Sequence, residues 1–181
     1  MGKDAWRACQ QHSLTRRLHS VASVRHADGT FSDLLRVTGN ARYVATVKRL
    51  SQQEAAHLAP PYDTGEDMWN DKPRQIWRRS RKSLGLPASS DVGDIAQVVR
   101  DLRDQVETQL GKGIGKAVIS YPALPGLYSE DIEDVAAYLA LDSVTSLSVL
   151  HQPRELVAAY AGYGMGLCEH YGDYGTASSP L

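Results

Sequence analysis

The chain has 181 residues, 42% of them hydrophobic, and 21 acidic against 20 basic side chains give a net charge of −1. That length suits one domain with a real core, and the balanced charge creates no global field for nucleic acid or acidic membranes. No apolar run approaches the ~20 residues of a membrane span, the start of the chain lacks an apolar signal-peptide core, and Trp6 stands where a myristoylation signal wants Ser or Thr.

Residues 1–18 read as a polar N-terminal arm. Residues 20–50 read as an antiparallel β-meander. "SVASVR" and "FSDLLRV" flank "HADGT", where Asp28-Gly29 signals a hairpin turn. "VTGNARYVATV" repeats the arrangement, with Gly39-Asn40 as the turn and Tyr43, Val44 and Val47 as strand formers.

Residues 51–91 read as an irregular insertion. "LAPPYDTGEDMWNDKP" is loop-like by its Pro, Gly and Asp content. "RQIWRRSRKSLG" predicts a helix ending near Gly85, and Pro87 with Ser89-Ser90-Asp91 stops one element and caps the next.

Residues 92–170 read as a helix/strand crossover half, and 171–181 as a tail. Ile95, Val98, Val99, Leu102, Val106 and Leu110 recur at helical spacing, with Asp91 as the cap and Gly111 as the stop. "KAVIS" predicts a strand buried on both faces. A helix beginning at Ser129 places Glu130, Asp131 and Glu133 where free amide N–H groups favour negative charge. Ile132, Val135, Ala136 and Leu139 form its inner face. "SLSVL" at 146–150 predicts another strand, and Pro153 opens a last helix, "RELVAAYAGYGMGLCEHY". The expected fold is a single α/β domain over 1–181: a mixed sheet, its meander followed by βαβα crossovers with parallel strands.

"LGKGIGKAVISYPA" and the elements around it resemble the actin-like ATPase superfamily, and most of all the N-terminal, ribonuclease-H-like lobe of DnaK-type heat-shock chaperones. Those lobes share the leucine-glycine-lysine helix end, the buried strand closing on proline-alanine, and a following helix and strand. An asparagine-glutamate-proline triplet then opens an alanine-rich helix, where this chain has His151-Gln152-Pro153 and "ELVAAYAGYG". The similarity covers roughly residues 20–166, with 51–90 unmatched, and points to truncated, degenerate fungal relatives. The departures fall on the chemistry. "HSLTRRLHS" replaces the first phosphate turn, Gln152 replaces the glutamate, "YGDYGTASSPL" stands where a second phosphate loop belongs, and the adenosine lobe is missing. Triphosphate chemistry needs backbone N–H cradles and a metal, so no ATP hydrolysis is expected.

The remaining motifs are weak. "GYGMG" at 162–166 lies within or at the end of a predicted helix, where small residues serve packing. Cys168-x-His170, and His12, His19 and His26 at seven-residue intervals, lack the second ligand pair that zinc wants. No metal and no cofactor is expected. "KPRQIWRRSRK" carries six basic residues in eleven, beside Trp69 and around Trp77. A solvated helix face, with Trp77 and Leu84 turned inward, explains it better than a nucleic-acid site at this net charge. Cys9 and Cys168, the only cysteines, suggest reduced thiols and a cytoplasmic protein.

Three functions stay open. The first is a cofactor-independent cyclase or pericyclase, Diels–Alderase-like, acting on a hydrophobic secondary metabolite held in a near-attack geometry. His151, Arg154 and Tyr121 are its candidate catalytic donors. Trp69, Trp77, Pro122, Leu124, Tyr128, Tyr160 and Tyr163, with Tyr62, are its candidate substrate walls. "YPALPG", at the carboxyl end of a strand, is the expected mouth of that pocket. The second is a non-catalytic pseudo-ATPase interaction module, and the third a residual nucleotide binder. Loss of the second lobe further predicts a homodimer, or the 51–90 insertion folded over the bared face with Trp69 and Trp77 as anchors. Neither nucleic acid nor membrane is an expected partner.

Overall fold

The computed structural model describes residues 18–25 and 31–143. The described part is mixed α/β: a two-stranded antiparallel sheet, four helices, and a minimal parallel pairing of two short strands. The "HADGT" turn, the "SLSVL" strand and the helix opening at Pro153 lie outside the described residues.

Strands β1 (His19–Arg25) and β2 (Phe31–Thr38) form the expected hairpin, from His19 opposite Thr38 to Arg25 opposite Phe31. The register slips between Ala22 and Ser23, the mark of a bulge. A lone hairpin is marginal in water, and this one packs on α3 (Ser90–Leu110).

The third strand of the expected meander is instead helix α1 (Ala41–Leu50). Asn40 is no turn residue. It is the N-cap, its side-chain oxygen accepting the Tyr43 N–H at 2.9 Å. Tyr43, Thr46, Val47 and Leu50 follow at helical spacing, and Thr46 and Leu50 are buried. That periodicity outweighs the strand preference of Val44 and Val47. Two polar contacts tie α1 to the start of α3. The Thr46 hydroxyl donates to Asp94 at 2.8 Å, and Arg49 pairs with Asp91.

The expected 51–91 insertion is mostly helix α2 (Gly65–Ser83), following a short 3₁₀ turn at Gln53–Ala55. The helix starts earlier than composition predicts because Thr64 caps it. The Thr64 hydroxyl oxygen accepts the Asp67 N–H at 3.1 Å. Pro73 sits inside the helix, an uncommon place for proline.

In α3 the cap is Ser89 rather than Asp91, accepting the Val92 N–H at 3.1 Å. Gly111 stops the helix as expected, at φ 66°, a left-handed conformation that glycine tolerates best. The Glu107 carboxylate then accepts the Ile114 N–H at 2.7 Å and so folds the chain back.

"KAVIS" is not a strand buried on both faces. Only Lys116–Ala117 (β3) pairs, in parallel with Asp142–Ser143 (β4), and Val118 is exposed. With one partner strand among the described residues, β3 has no sheet to be buried in. Helix α4 (Ser129–Tyr138) makes the crossover between the two strands. The core lies between α3 and α4. Val92, Ile132 and Val135 are its largest fully buried side chains, joined by Leu50, Ile95, Tyr121, Leu127, Leu139 and Leu141.

Candidate functional site

Helix α2 is built the wrong way round for a globular helix. Its only buried residues are an acid and a base, Asp71 and Arg78. Positions 71, 74, 75, 78 and 82 fall on one side at the helical period, and that charged side faces α4. Arg78 donates to Asp131 at 2.8 Å and to Asp134 at 2.7 Å. Lys82 reaches Asp134 at 2.7 Å, Arg74 pairs with Glu130 at 2.5 Å, and Gln75 donates to Glu130 at 2.8 Å. Asp71 accepts from Arg74 twice and from the Tyr62 hydroxyl at 2.6 Å.

Asp71, Arg74 and Arg78 are fixed in their charge states. Burial works to raise the Asp71 carboxyl, but hydrogen bonds from Arg74, Tyr62 and Gln75 outweigh it and hold its pKa at about 2. Burial works to lower Arg74 and Arg78, and their carboxylate partners outweigh it, so both stay charged. Burial and the Asp71 carboxylate raise the Tyr62 hydroxyl above its ordinary range. A carboxyl at about 2 and guanidiniums held charged exchange no proton near neutral pH. The network is a fastener.

A shallow cleft of about 280 Å³ opens beside it, lined by Pro60, Arg79, Ser129, Glu133 and the network residues Gln75, Arg78, Lys82, Glu130 and Asp134. Its walls are charged, so it suits no hydrophobic polycycle. None of the nominated site residues among the described ones lines it.

Those residues go to different places. Tyr121 is 6% exposed and belongs to the core cluster. Leu124 packs partly against the same core, and its N–H donates to the Pro122 carbonyl at 3.0 Å. The Tyr128 hydroxyl accepts the His57 N–H at 2.9 Å, and its ring lies 4.5 Å from the His57 ring, clasping the 51–61 loop to α4. "YPALPG" is therefore a packing loop in this fold. Gly126 donates to the Leu50 carbonyl at 3.0 Å, and a Cβ there would stand 2.7 Å from that of Ala55. His151, Arg154, Tyr160 and Tyr163 lie outside the described residues.

Trp69 and Trp77 face outward, 61% and 63% exposed, so they do not anchor the insertion over a bared face. Ile76 at 54% and Leu84 at 74% complete the row, so Trp77 and Leu84 turn outward where the sequence predicts them inward: the inner side of α2 is taken by the charge pairs to α4. Positions 69, 73, 76, 77, 80 and 84 fall on the side of α2 opposite the charged network. Lys72 sits over the Trp69 ring, 3.8 Å from its centroid. Sequence reasoning named the two tryptophans and missed the network. Its signal was the spacing of Arg74, Arg78 and Lys82 at four-residue intervals, matched by Glu130 and Asp134.

Comparison with known protein families, with curated proteins and with solved structures finds no match to this chain. Among the described residues, no helix is long and apolar enough to cross a membrane.

Proposed function

We propose that this chain is a non-catalytic interaction module that presents helix α2 to a partner. One observation carries the reading: Trp69, Ile76, Trp77 and Leu84 stand exposed along one side of a helix whose charged side is committed to α4. Large apolar side chains in a contiguous row at the surface mark an interaction site more often than chance exposure does. Tryptophan is the residue most enriched at the energetic centres of interfaces.

The lineage that goes with this reading is one lobe of an actin-like ATPase, kept as a scaffold without its phosphate chemistry. "LGKGIGKAVISYPA" supports it, as does the parallel pairing of β3 with β4 across α4. The competing reading, a cofactor-independent cyclase with His151, Arg154 and Tyr121 as donors, rests on the sequence. A Mg-ATP titration without heat sets aside the residual nucleotide binder.

The test is the size of the tagged chain in native cell extract. The wild type should migrate well above its own 19.8 kDa. The Trp69→Ser/Trp77→Ser variant, at equal abundance, should migrate as the free chain. A wild-type chain that migrates alone contradicts the reading.

A further inference from the structure

We infer that the occupant of the α2 stripe is a second copy of this chain, bound through antiparallel α2–α2 pairing about a two-fold axis near Pro73. This inference deepens the interaction reading and rests on it.

The centre of the α2 stripe is self-complementary. Pro73 lies midway between Trp69 and Trp77 on the exposed side. An axis there sets Trp69 of each copy against Trp77 of the other. Such an isologous contact needs a surface that matches itself after a half turn, and the Trp69–Pro73–Trp77 segment meets that need at the centre of the contact, while Ile76 comes to face Asn70 of the other copy and Leu84 reaches past the start of its helix. The apolar row from Trp69 to Leu84 is about 22 Å long at the rise of an α-helix.

The charge distribution selects the antiparallel direction. On the flank of the stripe the first turn of α2 holds Glu66 and the last turn holds Arg81, while Lys82 is engaged by Asp134. Antiparallel pairing lays the acidic start of each helix along the basic end of the other, and brings Glu66 near Arg81 of the opposite copy. It also opposes the two helix dipoles. Parallel pairing would set acid beside acid and base beside base. The side away from the stripe is held by Arg74, Arg78 and Lys82 on α4, so each copy presents its tryptophans from a rigid backing and loses little freedom on binding.

The experiment uses the purified full chain. Light scattering across a concentration series should give twice 19.8 kDa, falling to 19.8 kDa on dilution. Trp69→Glu/Trp77→Glu should be monomeric throughout and should melt where the wild type melts when diluted to a monomer. Pro73→Cys, in a Cys9→Ser/Cys168→Ser background, should cross-link to a dimer with a short bis-maleimide, and Gln97→Cys on α3 should not.

A purified wild type that is monomeric at every concentration overturns the self-pairing. So does a dimer that survives the double Glu variant or fails to cross-link at position 73. If that monomer still migrates in a larger assembly in extract, the interaction reading stands and another protein is the partner. If the double Glu variant melts far below the monomeric wild type, the stripe is covered within its own chain, and both readings fall.

Discussion

Asp71 shows how single side chains hold this fold. Its carboxyl is buried, yet three donors keep it ionised down to about pH 2. A folded pKa below the unfolded value stabilises the native state above the unfolded pKa, and that contribution fades as pH falls through the folded one. Against an ordinary value of 3.8, Asp71 should contribute roughly 2 kcal/mol, lost between about pH 5 and pH 2. Urea melts over that range should show a steep loss, and Asp71→Asn should flatten it. An Asp71→Asn variant with the wild-type acid slope would contradict this assignment. Gly126 makes a second point at the same scale. Its Cβ position lies 2.7 Å from the Ala55 Cβ and 3.0 Å from the Ala55 carbonyl oxygen. Gly126→Ala should destabilise by about 1–3 kcal/mol through overpacking, read from the denaturation midpoint. Gly113→Ala, with only the Glu107 carboxylate at 3.9 Å, should change little.

At the scale of elements, caps decide what composition leaves ambiguous. Asn40→Ala removes the acceptor for the Tyr43 N–H and should cost about 1 kcal/mol. Asn40→Asp should keep most of it. A turn residue in a β-meander would give the reverse preference, since glycine and asparagine serve such turns best. Much of the fold was legible in the sequence. The β1–β2 hairpin, the long α3 stripe, its stop at Gly111 and the Ser129 start of α4 all follow local rules of turn chemistry and periodicity. The misread stretches are those where two local signals conflict. In α1, β-branched residues sit on a helical period. In α2, Pro73 and the Asp-rich "GEDMWNDKP" look like loop, while Thr64 and the fixed ion pairs to α4 hold a helix. Of the candidate site, Trp69 and Trp77 were legible as aromatics of interest, but not their direction. Which side of α2 turns inward depends on Asp131 and Asp134, more than fifty residues away, and no local window contains both partners.

At the scale of the whole molecule, two kinds of adhesion divide the work. Helices α1, α3 and α4 share an apolar core centred on Val92, Ile132 and Val135, and the hairpin packs on α3. Helix α2 shares none of that cluster and is held by buried charge pairs. A buried ion pair is weak evidence for net stability, but breaking one leaves an uncompensated charge and costs about 3–5 kcal/mol. This arrangement leaves the apolar side of α2 available to a partner. It also inverts the usual rule for amphipathic helices, in which loss of tryptophan costs more than loss of arginine. The direct test compares the unfolding free energies of Arg78→Met and Trp69→Ser/Trp77→Ser, at a dilution where the chain is monomeric. The account predicts a loss of about 3–5 kcal/mol for Arg78→Met, whose removal takes the buried guanidinium from Asp131 and leaves Asp134 with Lys82 alone. It predicts less than about 1 kcal/mol for the tryptophan pair. A tryptophan pair that costs several kcal/mol, beside a tolerated Arg78→Met, would contradict the outward stripe and the function built on it.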